Sequence, residues 1–390
     1  MTNSFGSRRI SGLVQSDIRA MTRECVRLSG INLGQGICEL PTPAPIISAA
    51  QSALASQEKS IYAAAEGIAP LRQAIAKKLE HENRIRANPD SEIVITNGAT
   101  GGYAATLMAL LNPGDGILLF EPFYGYHLNA AILAELEPQF VPFSGVSLDI
   151  DETALRRAIR PNTRAIVICT PANPSGKMWS ESELECLARV ARERDLLVIT
   201  DEMYEYFRYD GREHISPASL ATLADRTVTL MGLSKTFSIT GWRLGYVVAP
   251  APLAEKIRLA NDLYYVCAPT PLQYGALAGF AELDPAYFVD LRAEFQAKRD
   301  QICETLETVG MNPVVPQGAY YVLADISRFG IANSKDFAMK ILETVKVATV
   351  PGRAFFHSPI GDRYIRLCFG VTDERLNKAC QQLRDLRGGF

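Results

Sequence analysis

The stretch Leu230–Tyr246, LMGLSKTFSITGWRLGY, sets a single lysine, Lys235, between an apolar run and a Ser/Thr-rich turn. Further on, Arg243 leads into a second apolar run. An ammonium at the end of a buried strand, close to another cation, is both desolvated and repelled. Each effect favours the neutral amine, the form that attacks a carbonyl. Lys235 is therefore a candidate Schiff-base former. The competing reading is a surface lysine whose stem covers apolar surface while the amine reaches water.

Outward from this stretch, short β-branched runs recur, each followed by a polar or glycine-bearing loop. EIVIT (92–96) leads to NGATGG, GILLF (116–120) to EPFYGYH, AIVIC (165–169) to TPANPSGK, LLVIT (196–200) to DEMYEYF, and TVTLM (227–231) to GLSKTF. Runs of this kind fit strands covered on both faces, as in a parallel sheet. Helical spacing lies between them, at Leu71, Ile75 and Leu79, and at Leu184, Leu187 and Ala191 behind a Ser180/Glu183 capping box. Alternating strands and helices imply an α/β fold. Ligands in such a sheet bind beyond the carboxyl ends of the strands. Asn97–Gly101, Tyr124, Asn173, Asp201 and Lys235 all fall there.

The expected organisation is an N-terminal arm (1–45), a large α/β domain (46–285) and a smaller α+β domain (286–390). The last rests on a long amphipathic helix through Phe288, Phe295, Ile302 and Leu306, on the strands AYYVLADI (319–326) and YIRLCFG (364–370), and on a closing helix over 373–387. A length of 390 residues, 47% of them hydrophobic, supports cores of this size. The net charge of −3 gives no positive field for nucleic acid or an acidic membrane. The eight scattered cysteines lack metal-ligand spacing and read as reduced thiols of a cytoplasmic protein, with Cys169 and Cys368 buried. No run approaches the ~20 apolar residues that cross a bilayer, and no signal peptide or metal site is expected.

Asp201 directly after LLVIT reads either as a cap or as a buried carboxylate for a cationic ring nitrogen. Pyridoxal 5′-phosphate (PLP) requires the latter, because a protonated ring is the better electron acceptor. The NGATGG loop opens an apolar helix whose free amides suit an anion. It does not match the dinucleotide fingerprint, which argues against a nicotinamide dehydrogenase.

Together these residues resemble a class I/II aminotransferase of PLP fold type I, in the aspartate aminotransferase superfamily. SKTFSITGWRLGY is the most specific motif. IYAAAEGIAPLRQAI, TNGATGG, TPANPSG, DEMYEYFRYDG and YIRLCFG accompany it at suitable spacings. The resemblance implies a mostly parallel seven-stranded sheet plus the smaller α+β domain. It implies ping-pong transfer of an amino group between an L-amino acid and a 2-oxo acid. Lys235 would carry PLP and shuttle a proton between the substrate Cα and the cofactor C4′. Asp201 would pair with the pyridine nitrogen, and Asn173 and Tyr204 with the ring hydroxyl. Tyr124 would stack on the ring. Gly98, Ala99, Thr100 and Arg243 would hold the phosphate. Arg366, with Asn173 and the Gly36 backbone, would take the substrate α-carboxylate. Tyr62 would reach the phosphate of a neighbouring subunit, making a homodimer with shared sites. Glu121-Pro122 and Asn173-Pro174 are expected to be cis.

Four departures bear on substrate and cofactor, one being Thr100, where some members selective for acidic substrates carry lysine in the phosphate loop. Gly232 stands where many relatives have a phosphate-binding serine. Gly36 is followed by Ile37 and Cys38 instead of the usual Gly-x-Pro. Residues 264–271, YYVCAPTP, lack the arginine that other members use for a second carboxylate. A neutral or aromatic donor is therefore expected over a dicarboxylate, in a pocket shaped by Tyr124, Tyr264 and Tyr265. The alternatives are a C–S β-lyase or cyclising lyase on the same cofactor and, more distantly, a non-catalytic PLP-binding regulator.

Overall fold

The computed structural model describes residues 6–13 and 17–388. The first five residues of the expected arm, residues 14–16 and the last two residues lie outside it. The strands in chain order are β1 (Ile31–Asn32), β2 (Ile93–Asn97), β3 (Gly116–Glu121), β4 (Glu137–Pro142), β5 (Thr163–Cys169), β6 (Leu197–Asp201), β7 (Thr227–Gly232) and β8 (Leu244–Val248). Five shorter ones follow: β9 (Asn312–Val314), β10 (Tyr321–Asp325), β11 (Val347–Ala348), β12 (Val350–Pro351) and β13 (Tyr364–Cys368).

Seven strands form one sheet in the order β2-β8-β7-β6-β5-β3-β4. Only β8 runs against its neighbours, so the sheet is mostly parallel. Each run singled out for its β-branched residues is a strand of this sheet. The edge strand β4 is missed, because its half-exposed EPQFVP carries no continuous apolar run. Alternate residues of the central strands face opposite ways. Ile117, Leu119, Val167 and Ile199 pack with Tyr103, Leu107 and Ile257 on one side. Leu118, Phe120, Ile168 and Val198 pack with Leu184, Leu187 and Ala191 on the other. The Ser180 capping box is present with both of its hydrogen bonds.

A second sheet, β12-β13-β10-β9, lies against the long helix Ala286–Thr308 and the closing helix Asp373–Arg384. Its core takes in Tyr204, Tyr206, Phe207 and Tyr209, which follow β6 of the first sheet. The DEMYEYFRY segment thus carries the chain from the end of one sheet into the core behind the other. The N-terminal segment is tied to the same region, since β1 pairs in parallel with β11. Glu121-Pro122 and Asn173-Pro174 are cis as expected, and Thr170-Pro171 is a third cis bond without a sequence signal. Cys169 departs from expectation. As the last residue of β5 it opens onto the carboxyl edge of the sheet and is only partly buried, whereas Cys368 is fully buried. Among the described residues no helix is long and apolar enough to cross a membrane.

The helix Ala69–Glu82 is pinned to the segment after β6 by a buried ion pair between Lys78 and Glu205. Asn83 Nδ2 donates to the other Glu205 oxygen at 2.8 Å, and the Lys78 ammonium reaches Tyr246 Oη at 3.3 Å. Removing one partner of such a pair strands a buried charge, at a cost of about 3–5 kcal/mol. Lys78→Ala should therefore lower the unfolding free energy extracted from a denaturant titration by that amount, and the double variant K78M/E205M should recover most of it. A loss below about 0.5 kcal/mol, the level of an ordinary surface substitution, would contradict the pinning.

Candidate active site

The carboxyl ends of the parallel strands open into a cleft of about 550 Å³. Ladder register aligns Cys169 with Asp201 and Asp201 with Leu230, so the ends of β5, β6 and β7 share one row. Gly36, Ala99, Thr100, Tyr124, Asn173, Asp201, Tyr204, Lys235, Arg243 and Arg366 all line this cleft. Residues spread over most of the chain's length thus converge on one volume.

Lys235 sits just past β7 and is partly buried. Its Nζ donates to the Gly36 carbonyl at 2.7 Å. Burial pushes its pKa down to about 8; the cations of Arg243 and Arg366 act in the same direction, and the Cys368 and Cys38 thiols oppose it. The contact explains why residue 36 is a glycine: a Cβ there would lie 1.8 Å from Tyr321 Oη. The arm backbone can cover the lysine only because it carries no side chain at that point.

Asp201 is buried at the end of β6. One carboxylate oxygen accepts from the Met203 amide at 3.1 Å, and the other lies 3.0 Å from His127 Nε2. His127 is a site residue that the sequence reading misses. It lies on the helix Gly125–Leu133, three residues after Tyr124, and packs edge-on to that ring and against Tyr103. Its one available signal was its place in the EPFYGYH loop after a core strand.

Arg366, on β13, is 1% exposed. Its Nη1 donates to Asn173 Oδ1 at 2.9 Å and its Nη2 to the Gly34 carbonyl, while Nε has no partner among the described residues. The guanidinium stacks between the rings of Tyr321 and Phe355, at 4.4 and 4.8 Å. The hydroxyls of Tyr204 and Tyr321 lie 2.8 Å apart. Burial raises both phenols well above their ordinary range, so both stay neutral hydrogen-bonding groups. Tyr321, on β10, is the second site residue that the sequence reading misses; it lay inside a run read only as strand.

Gly98 begins the helix Gly98–Leu110, with Thr100 exposed in its first turn. Arg243 lies against it, its Nη2 2.7 Å from where a Gly98 Cβ would be. Helix amides and a guanidinium at one point make an anion cradle. Tyr62 is placed differently. It is 80% exposed and sits outside the cleft, beside Asn97, Cys267 and Thr270. Tyr264 and Tyr265, expected in the pocket, do not line the cleft and are exposed. They end the helix Ala251–Tyr265, and the Tyr265 ring lies 3.4 Å from where a Gly101 Cβ would be, next to the cleft-lining Thr100. Tyr126 and Tyr321 supply the aromatic surface instead.

A match to the family of class I and II aminotransferases spans residues 29–383. The chain belongs to the class I and II aminotransferases. It is 36% identical to an aspartate aminotransferase of Pyrococcus abyssi over 90% of each chain. It is 34% identical to aromatic-amino-acid aminotransferase 2 of Thermococcus litoralis over 97% of each. The solved structure of N-succinyldiaminopimelate aminotransferase from Mycobacterium tuberculosis superposes with a TM-score of 0.93 at 32% identity, covering 98% of this chain and 100% of that one. The protein is thus an aminotransferase, its substrates are amino acids and 2-oxo acids, and its class uses PLP.

The seating of the aminotransferase arm on Tyr321 can be tested without cofactor. Gly36→Ala forces backbone or ring to shift, and overpacking of this kind costs about 1–3 kcal/mol. A lower melting temperature is expected for the purified variant. An unchanged one would mean that the arm does not approach Tyr321 as described.

Proposed function

We propose that this cleft is the transamination site and that Lys235 carries PLP. The observation that carries the reading is the partly buried, pKa-depressed Lys235 in the same cavity as Asp201, Arg366 and the helix-start residues Ala99 and Thr100. The residues fit the cofactor. Asp201, fixed by His127 and the Met203 amide, suits the pyridine nitrogen. Asn173 and Tyr204 suit the ring hydroxyl, and Tyr124 the ring face. Gly98, Ala99, Thr100 and Arg243 suit the phosphate. The unpartnered Nε of buried Arg366 supports a role in binding the substrate α-carboxylate, together with Asn173 and the Gly36 backbone.

When bound, PLP supplies a ring that accepts electron density from the substrate Cα. The protein's share is positional. Arg366 orients the carboxylate, Asp201 keeps the ring nitrogen protonated, and the Lys235 amine takes the proton from Cα. Tyr124, Tyr126 and Tyr321 favour a neutral or aromatic donor. In this reading the chain divides into an arm (1–45), a large domain (46–285) and a small domain (286–390). The working unit is a homodimer in which the exposed Tyr62 reaches the partner's cofactor phosphate. Ile61, Leu263 and Tyr264, exposed nearby in the chain segments around Tyr62 and Tyr265, are the kind of surface that pairing would cover. The eight unpaired cysteines support a cytoplasmic location.

The test is a single turnover. PLP-loaded protein given one L-amino acid and no acceptor should release one equivalent of the matching 2-oxo acid and then stop. Continuous release of pyruvate and ammonia from a cysteine conjugate would contradict transamination as the outcome. A second test is the pH dependence of cofactor uptake. Only the neutral amine attacks PLP, so the uptake rate of the apoprotein should rise with an inflection near the lysine's pKa of about 8 and fall away below it. An inflection near the ordinary lysine value of about 10.4 would contradict the depressed amine.

A further inference from the structure

Residues 264–271 offer no cation for a second carboxylate, yet the cleft has two arginines whose charge no carboxylate among the described lining residues balances. Both come from the arm helix Asp17–Arg27. This helix is amphipathic. Met21 and Cys25, one turn apart, are buried against Ala338, Leu342 and Ala348. Asp17 ties its start to Arg353 at 3.5 Å and Lys335 at 4.0 Å. Thr22 Oγ1 accepts from Asn32 Nδ2 at 3.2 Å. With that face fixed, Ile18, Arg19, Thr22 and Arg23 line the cleft that holds Lys235 and Arg366.

Arg19 and Arg23 lie four residues apart, so their side chains are neighbours on one face. Among the described residues Arg19 reaches the Tyr126 hydroxyl, at 3.5 Å, and neither arginine has a carboxylate partner. Arg27, farther along the same helix, does pair, with Glu24 at 2.7 Å. Asp201 is the only carboxylate among the described lining residues, against Arg19, Arg23, Lys235, Arg243 and Arg366. The phosphate answers Arg243 and the α-carboxylate answers Arg366. That leaves the Arg19 and Arg23 guanidiniums on the cleft wall without a carboxylate among the described lining residues.

We infer that Arg19 and Arg23 form the subsite for the distal carboxylate of a dicarboxylic substrate, so that one cleft takes a neutral or aromatic donor and an acidic 2-oxo acceptor in turn. The inference rests on the placement of Arg366 at the α-carboxylate. Guanidinium forks suit a carboxylate. The aliphatic stems of the same arginines, beside Ile18 and Tyr126, give an uncharged side chain an apolar wall when no carboxylate is present. The selectivity therefore comes from the arm, in place of a residue in 264–271.

The test compares glutarate with butyrate, ligands that differ in the second carboxylate and cannot react. Their dissociation constants for PLP-loaded protein are measured by calorimetry, in the wild type and in R19Q/R23Q. The wild type should favour glutarate, and the double variant should lose roughly ten- to hundredfold of that preference, as expected for charge-assisted hydrogen bonds. The kcat/KM ratio of 2-oxoglutarate to pyruvate as acceptor should fall in parallel. Raising salt from low to near-molar should weaken glutarate more than butyrate in the wild type, a check that needs no variant. Equal binding of the two ligands by the wild type, or an unchanged preference in the double variant, would overturn the subsite. Failure of every donor to turn over would sink the transaminase reading instead, and the calorimetric comparison would still decide the subsite.

Discussion

The cleft depends on keeping one ammonium group out of water. Lys235 stands at the end of β7, within a sheet covered on both faces, and the arm lies over it with the Gly36 carbonyl 2.7 Å from its Nζ. A carbonyl offers the cation a dipole but no countercharge, so desolvation dominates and the amine is pushed toward its neutral form. The arrangement needs both sheets. The first supplies the lysine, and the second supplies Tyr321, whose hydroxyl leaves room only for a glycine in the arm. A nucleophilic amine near neutral pH is thus a property of how the arm and two sheets pack, and no single segment carries it.

The other polar groups of the cleft connect the same parts. Arg366 reaches from β13 to Asn173, after β5, and to the arm backbone at Gly34. Tyr204, after β6, meets Tyr321 of β10. Asp201 and His127 join the end of β6 to the helix after β3. Buried polar groups hold position when their neighbours satisfy them, and here those neighbours belong to different elements. The unpartnered Nε of Arg366 is the exception. A buried donor left free is costly, and a substrate carboxylate would satisfy it.

Much of this was legible in the sequence because strand ends are written locally. Asp201, Asn173, Lys235 and the Gly98 loop each follow a β-branched run, and the topology of a parallel sheet puts such positions on one edge. Strand order and side-chain direction were not legible. His127 and Tyr321 became site residues only once β3 was seen near β6 and β10 near the arm. Tyr264 and Tyr265 do not line the cleft for the same reason: how closely the end of their helix approaches the Gly98 loop is a tertiary fact. Gly232 could be read only as a missing serine; in the fold the Met203 sulfur lies 2.0 Å from where its Cβ would be, so the space is already taken. The cations of the arm helix escaped notice because two arginines four apart ordinarily mark a solvated face.

The most direct test of the account is to locate the cofactor chemically. Protein loaded with PLP is reduced with borohydride, digested and mapped by mass spectrometry, alongside Lys235→Ala. The account predicts one phosphopyridoxyl group per chain, on the peptide containing Lys235, and none on the variant. A label on another lysine, or equal labelling of the variant, would contradict it.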